Sequence, residues 1–363
     1  MEVYYSIFIV SFLLCFFDFI LIKQVKRLVY TLITMFLVLL VGRRKTGIDN
    51  DSPMYEGMYY FYREVSINDV LKGGYGYVEK GYVFFNQFIG FFGGDFWTLT
   101  LSMSIVTGLL TYSFIFKKSK LPFLSLLFYL SFFFLYRDFT QIRYALSSSL
   151  IFWCCLFYIN KRYKYAILLF LLAISFHNAA FIIIPTLAVI YFIKKKEIYL
   201  LIIIPCMLIG VVYNPFPLLL ASGLSNEHMQ LYVNEEGGGS WSISIVGLVV
   251  LLLYYFLLKY NKNKFKTLDA NPYFGDYYFK LVALSTSLNF LFIQSAVFQR
   301  FSLILYQFVI ILFPFVVYGY SKISHRKETY MILYFFCSLF LLLYGFRMID
   351  EKLVRPYEFS SLW

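Results

Sequence analysis

Residues 165–193 read YAILLFLLAISFHNAAFIIIPTLAVIYFI, and the fold turns on whether this stretch crosses a membrane once or twice. At about 1.5 Å rise per residue, roughly 20 apolar residues are needed to span a hydrocarbon core about 30 Å thick. The run is long for one helix, and His177 sits near its middle, so one long helix and two short ones meeting at Phe176-His177-Asn178 are both open readings. The flanking charge favours the second. Lys161, Arg162 and Lys164 precede the run and Lys194, Lys195 and Lys196 follow it, and basic residues collect in short cytoplasmic loops. Both clusters lie on one side only if the run crosses twice, although a first arm of about 12 residues, or 18 Å, is short for an unaided crossing.

The same logic extends outward. Apolar stretches bounded by charge lie at Val3 to Ile22, Leu28 to Val41, Phe96 to Phe116, Leu121 to Tyr136, Phe139 to Tyr158, Tyr199 to Tyr213, Trp241 to Leu258, Tyr277 to Val297, Phe301 to Tyr320 and Tyr330 to Phe346. With the double crossing these predict an all-α polytopic transmembrane bundle of twelve crossings, both termini outside; a single crossing there would make eleven. Basic residues at Lys23/Lys26/Arg27, Lys117/Lys118/Lys120, Lys259 to Lys266 and Lys322/Arg326/Lys327 then share the inner side. With Lys280 placed there too, that side carries 20 of the 32 basic residues against Glu197, Asp269, Asp276 and Glu328, while Asp18 is left within the first span. The chain is 61% hydrophobic and only 14% charged, which excludes a water-soluble globule. Its formal charge of +12 is therefore read as a topology signal beside anionic headgroups and not as a nucleic-acid footprint.

Loops exclude further classes. No GxGxxG or GxxxxGK[ST] pattern occurs in a strand-turn-helix context, so no nucleotide-binding domain and no cofactor is expected. Cys15, Cys154, Cys155, Cys206 and Cys337 have spacings of neither a zinc site nor a disulfide framework. The N-terminus shows no basic region ahead of its apolar run and reads as an anchor, not a cleavable signal. Two long outer loops stand out, at about 42–95 and 214–240, and loops of that length are commonly functional. The first contains an amphipathic stretch, Tyr82 to Phe92, that predicts an interfacial helix. The second ends in Glu235-Glu236-Gly237-Gly238-Gly239-Ser240, a composition that fits a mobile lid or a plain tether.

Ionisable groups in or beside a bilayer are costly and usually face a polar cavity. Arg143 lies more than a helical turn inside its predicted span, where snorkelling to the headgroups is the structural alternative. His177 falls at the outer bend of the proposed hairpin, and its imidazole suits a base, an acid or a phosphate ligand. Arg300 opens an outer helix end, against both the charge rule and the helix dipole, which favours a bound anion. Asp49 and Asp51 are paired carboxylates, Glu79 stands in Glu79-Lys80-Gly81-Tyr82, and Arg347, Arg355 and Tyr357 add polar groups to the same side. Asp-x-Asp alone is a weak metal signal, and no metal is expected. Together these groups predict an outer-leaflet site for an anionic, hydroxyl-rich substrate.

In order and spacing these residues resemble the EpsG-like branch of the Wzy polysaccharide polymerases. Arg44 with Gly47-Ile48-Asp49 and Tyr55 is similar to that family's first outer signature, although Ile48 replaces the usual Thr. Glu79-x-Gly81-Tyr82-x-x-x-Asn86, Gln141-Ile142-Arg143 with Ala145, Phe176-His177 with Ala179, Ala180 and Pro185, Gln299-Arg300-Phe301-Ser302 with Pro314, and Pro356-Tyr357-x-Phe359 follow. The resemblance implies a GT-C-like membrane glycosyltransferase of the bacterial cytoplasmic membrane. Such an enzyme joins undecaprenyl-diphosphate-linked repeat units at the outer face, with the lipid-linked oligosaccharide, the bilayer and a chain-length regulator as partners. It would place Arg143 and Arg300 on the donor diphosphate, Glu79 or His177 as base, and Arg44, Asp49, Asp51, Arg347, Arg355 and Tyr357 as candidate substrate contacts. A lipid-linked oligosaccharide flippase, a membrane acyltransferase and an O-antigen ligase are the competing classes; the absence of a convincing repeat of two halves counts against the first.

Overall fold

A computed structural model describes residues 1–20, 22–73, 76, 78–215, 238–260, 273–323, 326–350 and 353–360. In chain order the helices are α1 (Glu2–Cys15), α2 (Phe17–Ile20), α3 (Lys23–Gly42), α4 (Ser52–Tyr62), α5 (Ile67–Lys72), α6 (Lys80–Phe91), α7 (Phe96–Lys118) and α8 (Pro122–Tyr129). A π-helical segment (Leu130–Thr140) continues α8, and α9 (Ile142–Ile159) and α10 (Tyr163–Phe176) follow. A 3-10 turn (Asn178–Ile182) leads into α11 (Ile183–Phe192), α12 (Lys196–Val212), α13 (Trp241–Tyr260), α14 (Tyr273–Leu291), α15 (Ala296–Tyr306), α16 (Val309–Ile323) and α17 (Lys327–Arg347). Among the described residues the only strand-like pairings are two isolated bridges, Arg44 with Phe359 and Asp49 with Val354.

The protein is an all-helical, multi-pass membrane protein. Among the described residues, seven stretches are long and apolar enough to span a membrane: Glu2–Phe19, α3, α7, Pro122–Thr140, α9, α13 and α17; α15 and α16 make an eighth if counted as one span bent by 52°. The other four crossings of the sequence count fall on α10, α11, α12 and α14, which are shorter or more polar. The 165–193 stretch does break where the sequence suggested: α10 ends at Phe176, His177 takes extended backbone, and a 3-10 turn intervenes before α11.

Contacts divide the chain into two compact units, Met1–Asn178 with Arg326–Trp363, and Ala179–His325. In the first, Pro122–Thr140 is the central strut, with 94% of its most apolar window buried, as expected of a helix that is apolar all round. Phe132 stacks on Tyr344 of α17 at 4.1 Å, and the Ser131 hydroxyl donates to Leu341 O at 2.7 Å. Here the sequence boundaries need correction. The strut runs through Arg137 and Asp138, which the sequence assigned to an outer loop, and the chain breaks only at Gln141. The two charges are tolerated because Arg137 pairs with Asp138 at 3.5 Å, and Tyr129 accepts from Arg137 and donates to Asp138.

The first span is also not one helix to Ile22. It breaks after Cys15, and this break places Asp18 at the start of α8, where its carboxylate accepts the amides of Phe123 (3.3 Å) and Leu124 (3.0 Å) and the Tyr334 hydroxyl (3.1 Å). The positive end of a helix thus meets a buried carboxylate, helped by Lys26 at 3.7 Å. The predicted outer loop 42–95 contains three helices, α4, α5 and α6, the last matching the amphipathic stretch. Within the second unit, Gly210 brings α12 directly onto the α14 backbone: a Cβ there would lie 1.9 Å from Phe290 O. Lys196 pairs with Asp276 at 2.5 Å. The glycine-rich run through Gly237 and most of the Lys259 to Asp276 loop lie outside the described residues.

Asp18→Ala leaves buried amides and the Tyr334 hydroxyl without an acceptor and is expected to destabilise the protein by about 3 kcal/mol. Thermal inactivation of detergent-solubilised protein measures this, and an unchanged midpoint would remove Asp18 from the core's support.

Candidate functional site

The segment after α3 is fixed before it can present anything. Gly42 packs against the Leu101 backbone of α7, and the next turn buries Arg44 at 2% exposure. Its Nε lies 2.8 Å from Asp49 Oδ2, Nη1 donates to Val41 O at 2.6 Å, and the guanidinium covers the Phe139 ring. Asp49 Oδ1 accepts the amides of Asp51 (3.1 Å) and Ser52 (2.8 Å), which starts α4. Gly47 sits at φ +88°, a conformation that suits glycine, and its amide donates to Ser52 Oγ.

The stretch 353–360 lies along this turn. Arg355 N donates to Ile48 O, Lys45 N to Glu358 O and Ser360 N to Arg43 O. The Tyr357 hydroxyl donates to Leu40 O at 2.9 Å, and burial pushes it up to about 12, so it stays a donor. Two of the recognised motifs, one early and one late, therefore hold one another. Both oxygens of Asp49 are taken by protein donors, so Asp49 with Asp51 makes no ready cation site. Asp51 is half-buried, and Arg347 and Arg355 are exposed.

Three other motifs meet in the same unit, together with Tyr55 of the first. Glu79 is the N-cap residue of α6 and Arg143 the second residue of α9, so Arg143 stands in the first turn and not more than a turn inside its span. Arg143 Nη1 lies 2.6 Å from Glu79 Oε2, with the two side chains 11% and 10% exposed. Glu79 Oε1 accepts the Asn178 amide at 3.0 Å. The rings of Tyr55 from α4 and Tyr82 from α6 face the guanidinium at 5.6 and 5.5 Å. Burial raises both tyrosine hydroxyls above their ordinary range, keeping them protonated. Arg143 Nε is buried with no hydrogen-bond partner among the described residues.

The segment Glu79-x-Gly81-Tyr82-x-x-x-Asn86 can now be read residue by residue. Glu79 holds the guanidinium. Gly81 lets α6 lie on α10, since a Cβ there would come 2.3 Å from Ser175 Oγ and 2.6 Å from Ser175 O. Tyr82 covers the guanidinium, and Asn86 donates to Tyr82 O at 2.6 Å. His177 follows α10 directly; its ring packs edge-on against Tyr144 at 5.2 Å. Ser147 Oγ pins that end of α10 to α9 by donating to Ala173 O at 2.9 Å. The Asn178 amide that reaches Glu79 is adjacent in sequence, so the backbone break at His177 is tied to the carboxylate.

Arg300 belongs to the second unit. It is the fifth residue of α15, half-buried, and does not open the helix as the sequence suggested. Its neighbour Gln299 is the organiser there: Nε2 donates to Asn289 O at 2.9 Å and Oε1 accepts the Ser240 amide at 2.7 Å. Gly239 lies against the Gln299 amide so closely that a Cβ would clash at 2.3 Å. Sequence reasoning missed the Arg137–Asp138–Tyr129 cluster, in which the Arg137 guanidinium lies 5.0 Å from both Tyr129 and Phe133 rings. Aromatic residues four and eight positions before Arg137 were the available signal.

The helical membrane fold and its buried Arg–Glu site define a polytopic protein with charge held ready at a helix start. The chain matches the EpsG family over residues 27–359 and belongs to it. That family is associated with glycosyl transfer in polysaccharide biosynthesis. No curated protein and no solved structure matches the chain.

Two substitutions separate holding from chemistry. Arg44→Ala strands the Asp49 carboxylate and is expected to cost about 3–5 kcal/mol, read as lost folded yield and a lower inactivation temperature. Gly81→Ala forces α6 off α10 and is expected to lower activity more than stability, because the displaced element carries Glu79; equal activity per folded molecule would refute this.

Proposed function

We propose that this protein polymerises polysaccharide repeat units by glycosyl transfer at the outer face of the bacterial cytoplasmic membrane. The donor is a glycan on undecaprenyl diphosphate, the acceptor a second lipid-linked repeat, and a chain-length regulator is the expected protein partner. The observation that carries this reading is the Glu79–Arg143 pair, roofed by Tyr55 and Tyr82 and joined to the His177 break. These groups come from four segments that are remote in sequence and carry the family motifs.

Arg143 keeps its charge at any relevant pH and presents a planar fork suited to phosphate oxygens. Its unpaired Nε supports an anionic ligand, since a buried donor without an acceptor costs about 1–3 kcal/mol. As the bond between the anomeric carbon and the diphosphate oxygen breaks, negative charge grows on the leaving carrier, and the guanidinium stabilises it. The acceptor hydroxyl adds to the anomeric carbon and loses its proton to Glu79 or His177. Diphosphate binding competes with Glu79 for Arg143, so donor arrival itself releases the carboxylate to act as a base.

Arg143→Ala is expected to leave single repeat units on the lipid and no ladder of longer chains, and Glu79→Gln to do the same with the site's shape kept. Arg143→Lys is expected to recover little, because an ammonium cannot reproduce the fork between two rings. Gels of glycan from cells expressing each variant at equal level provide the test. A normal ladder in Arg143→Ala would rule out the mechanism.

A further inference from the structure

Helix α6 carries more than Glu79. Its inward face buries Tyr82, Val83, Asn86 and Ile89, while Phe84, Phe88 and Phe91, spaced by four and then three residues, are 37%, 56% and 85% exposed. These rings border a hollow of about 720 Å³, which Arg63, Glu64 and Gln87 also line. Its remaining wall includes Gly90, Gly93 and Gly94. Gly90 lets α6 approach the Arg63 stem, with 3.1 Å from a would-be Cβ to Arg63 Cβ, and Gly93 turns the chain at φ +70°.

Exposed phenylalanines alone would suit lipid tails. The polar groups do not, because an acyl chain offers no partner to a guanidinium, a carboxylate or an amide and would strip their water. These groups are also positioned. Arg63 Nε is held 2.9 Å from Glu64 Oε1, its guanidinium lies 5.1 Å from the Tyr60 ring, and Gln87 Nε2 donates to Val65 O at 2.7 Å. The Gln87 amide oxygen has no partner among the described residues. A sugar matches this mixture, since its C–H face is weakly positive toward the negative face of an aromatic ring and its rim of hydroxyls both donates and accepts.

We propose that this hollow is a second glycan-binding subsite, which holds sugar residues of the chain while the Glu79–Arg143 site acts on its end. Gln87 lies eight residues beyond Glu79 on the same helix, about 12 Å along its axis. That is a fitting reach for neighbouring residues of one oligosaccharide. The assignment rests on the polymerase reading for its biological sense, and the subsite would let a growing chain stay bound between additions.

The test uses full-length protein in lipid nanodiscs, with lipid-free repeat-unit oligosaccharide and its dimer, released by mild acid, as probes. Gln87→Ala and Phe88→Ala are expected to weaken dimer binding about five-fold each, and in cells to shift the ladder to shorter chains while the first linkage still forms. Phe88→Trp keeps a ring and is expected to retain binding, which controls for folding at this exposed position. Glu79→Gln is expected to lose the ladder and keep dimer binding. Unchanged binding and chain length in both alanine variants would show the face to be a membrane seat and overturn the subsite. A ladder indifferent to Glu79→Gln, with binding still sensitive to Gln87→Ala, would overturn the polymerase reading and leave the subsite standing.

Discussion

A charge taken into a membrane helix bundle must find a partner there, and the first unit is built around how its carboxylates are assigned. Asp18 meets a helix start, Asp49 meets Arg44 and a second helix start, Asp138 meets Arg137 and Tyr129, and Glu79 meets Arg143. Removing a partner is costly because the remaining charge has no water to turn to. The first three of these assignments hold the fold. Of the three arginine–carboxylate pairs, Glu79–Arg143 keeps the most exposure, 11% and 10% against 7% or less in the others, and that difference separates the candidate site from otherwise similar pairs.

The helical class and most span positions were readable in apolar runs bounded by lysine and arginine, because the bilayer sets their length. The break at His177 was readable too, from a run too long for one crossing. The failures share a cause. Treating every charge as a loop marker placed Arg137 and Asp138 outside, since a local pattern does not reveal that two adjacent charges and a tyrosine eight residues back satisfy one another. Arg143 was singled out correctly as unusual, but its depth was misjudged because the π-helical segment consumes residues that an α-helix would have given to the next span. Arg44 and Asp49 were grouped with candidate substrate contacts for their charge. Their roles in burial and capping depend on the 353–360 stretch, which is remote in sequence.

Helix α6 gathers several of these threads. It is too short to cross a membrane and too apolar on one side to be an ordinary connector. Glycine at its second position brings it onto α10, so the N-cap carboxylate is placed by helix packing and not by a flexible loop. Its exposed aromatic face is then left at a fixed offset from that carboxylate.

The pairing of residues 43–49 with 353–360 also has a consequence in time. The two stretches leave the ribosome about 300 residues apart, which at about 5–20 residues per second is a delay of roughly 15–60 s. Until the late stretch arrives, Ile48 O, Arg43 O and Leu40 O lack the donors that settle them, and the turn that launches α4 is only half supported. Tyr55 and its guanidinium partner therefore gain their final support late.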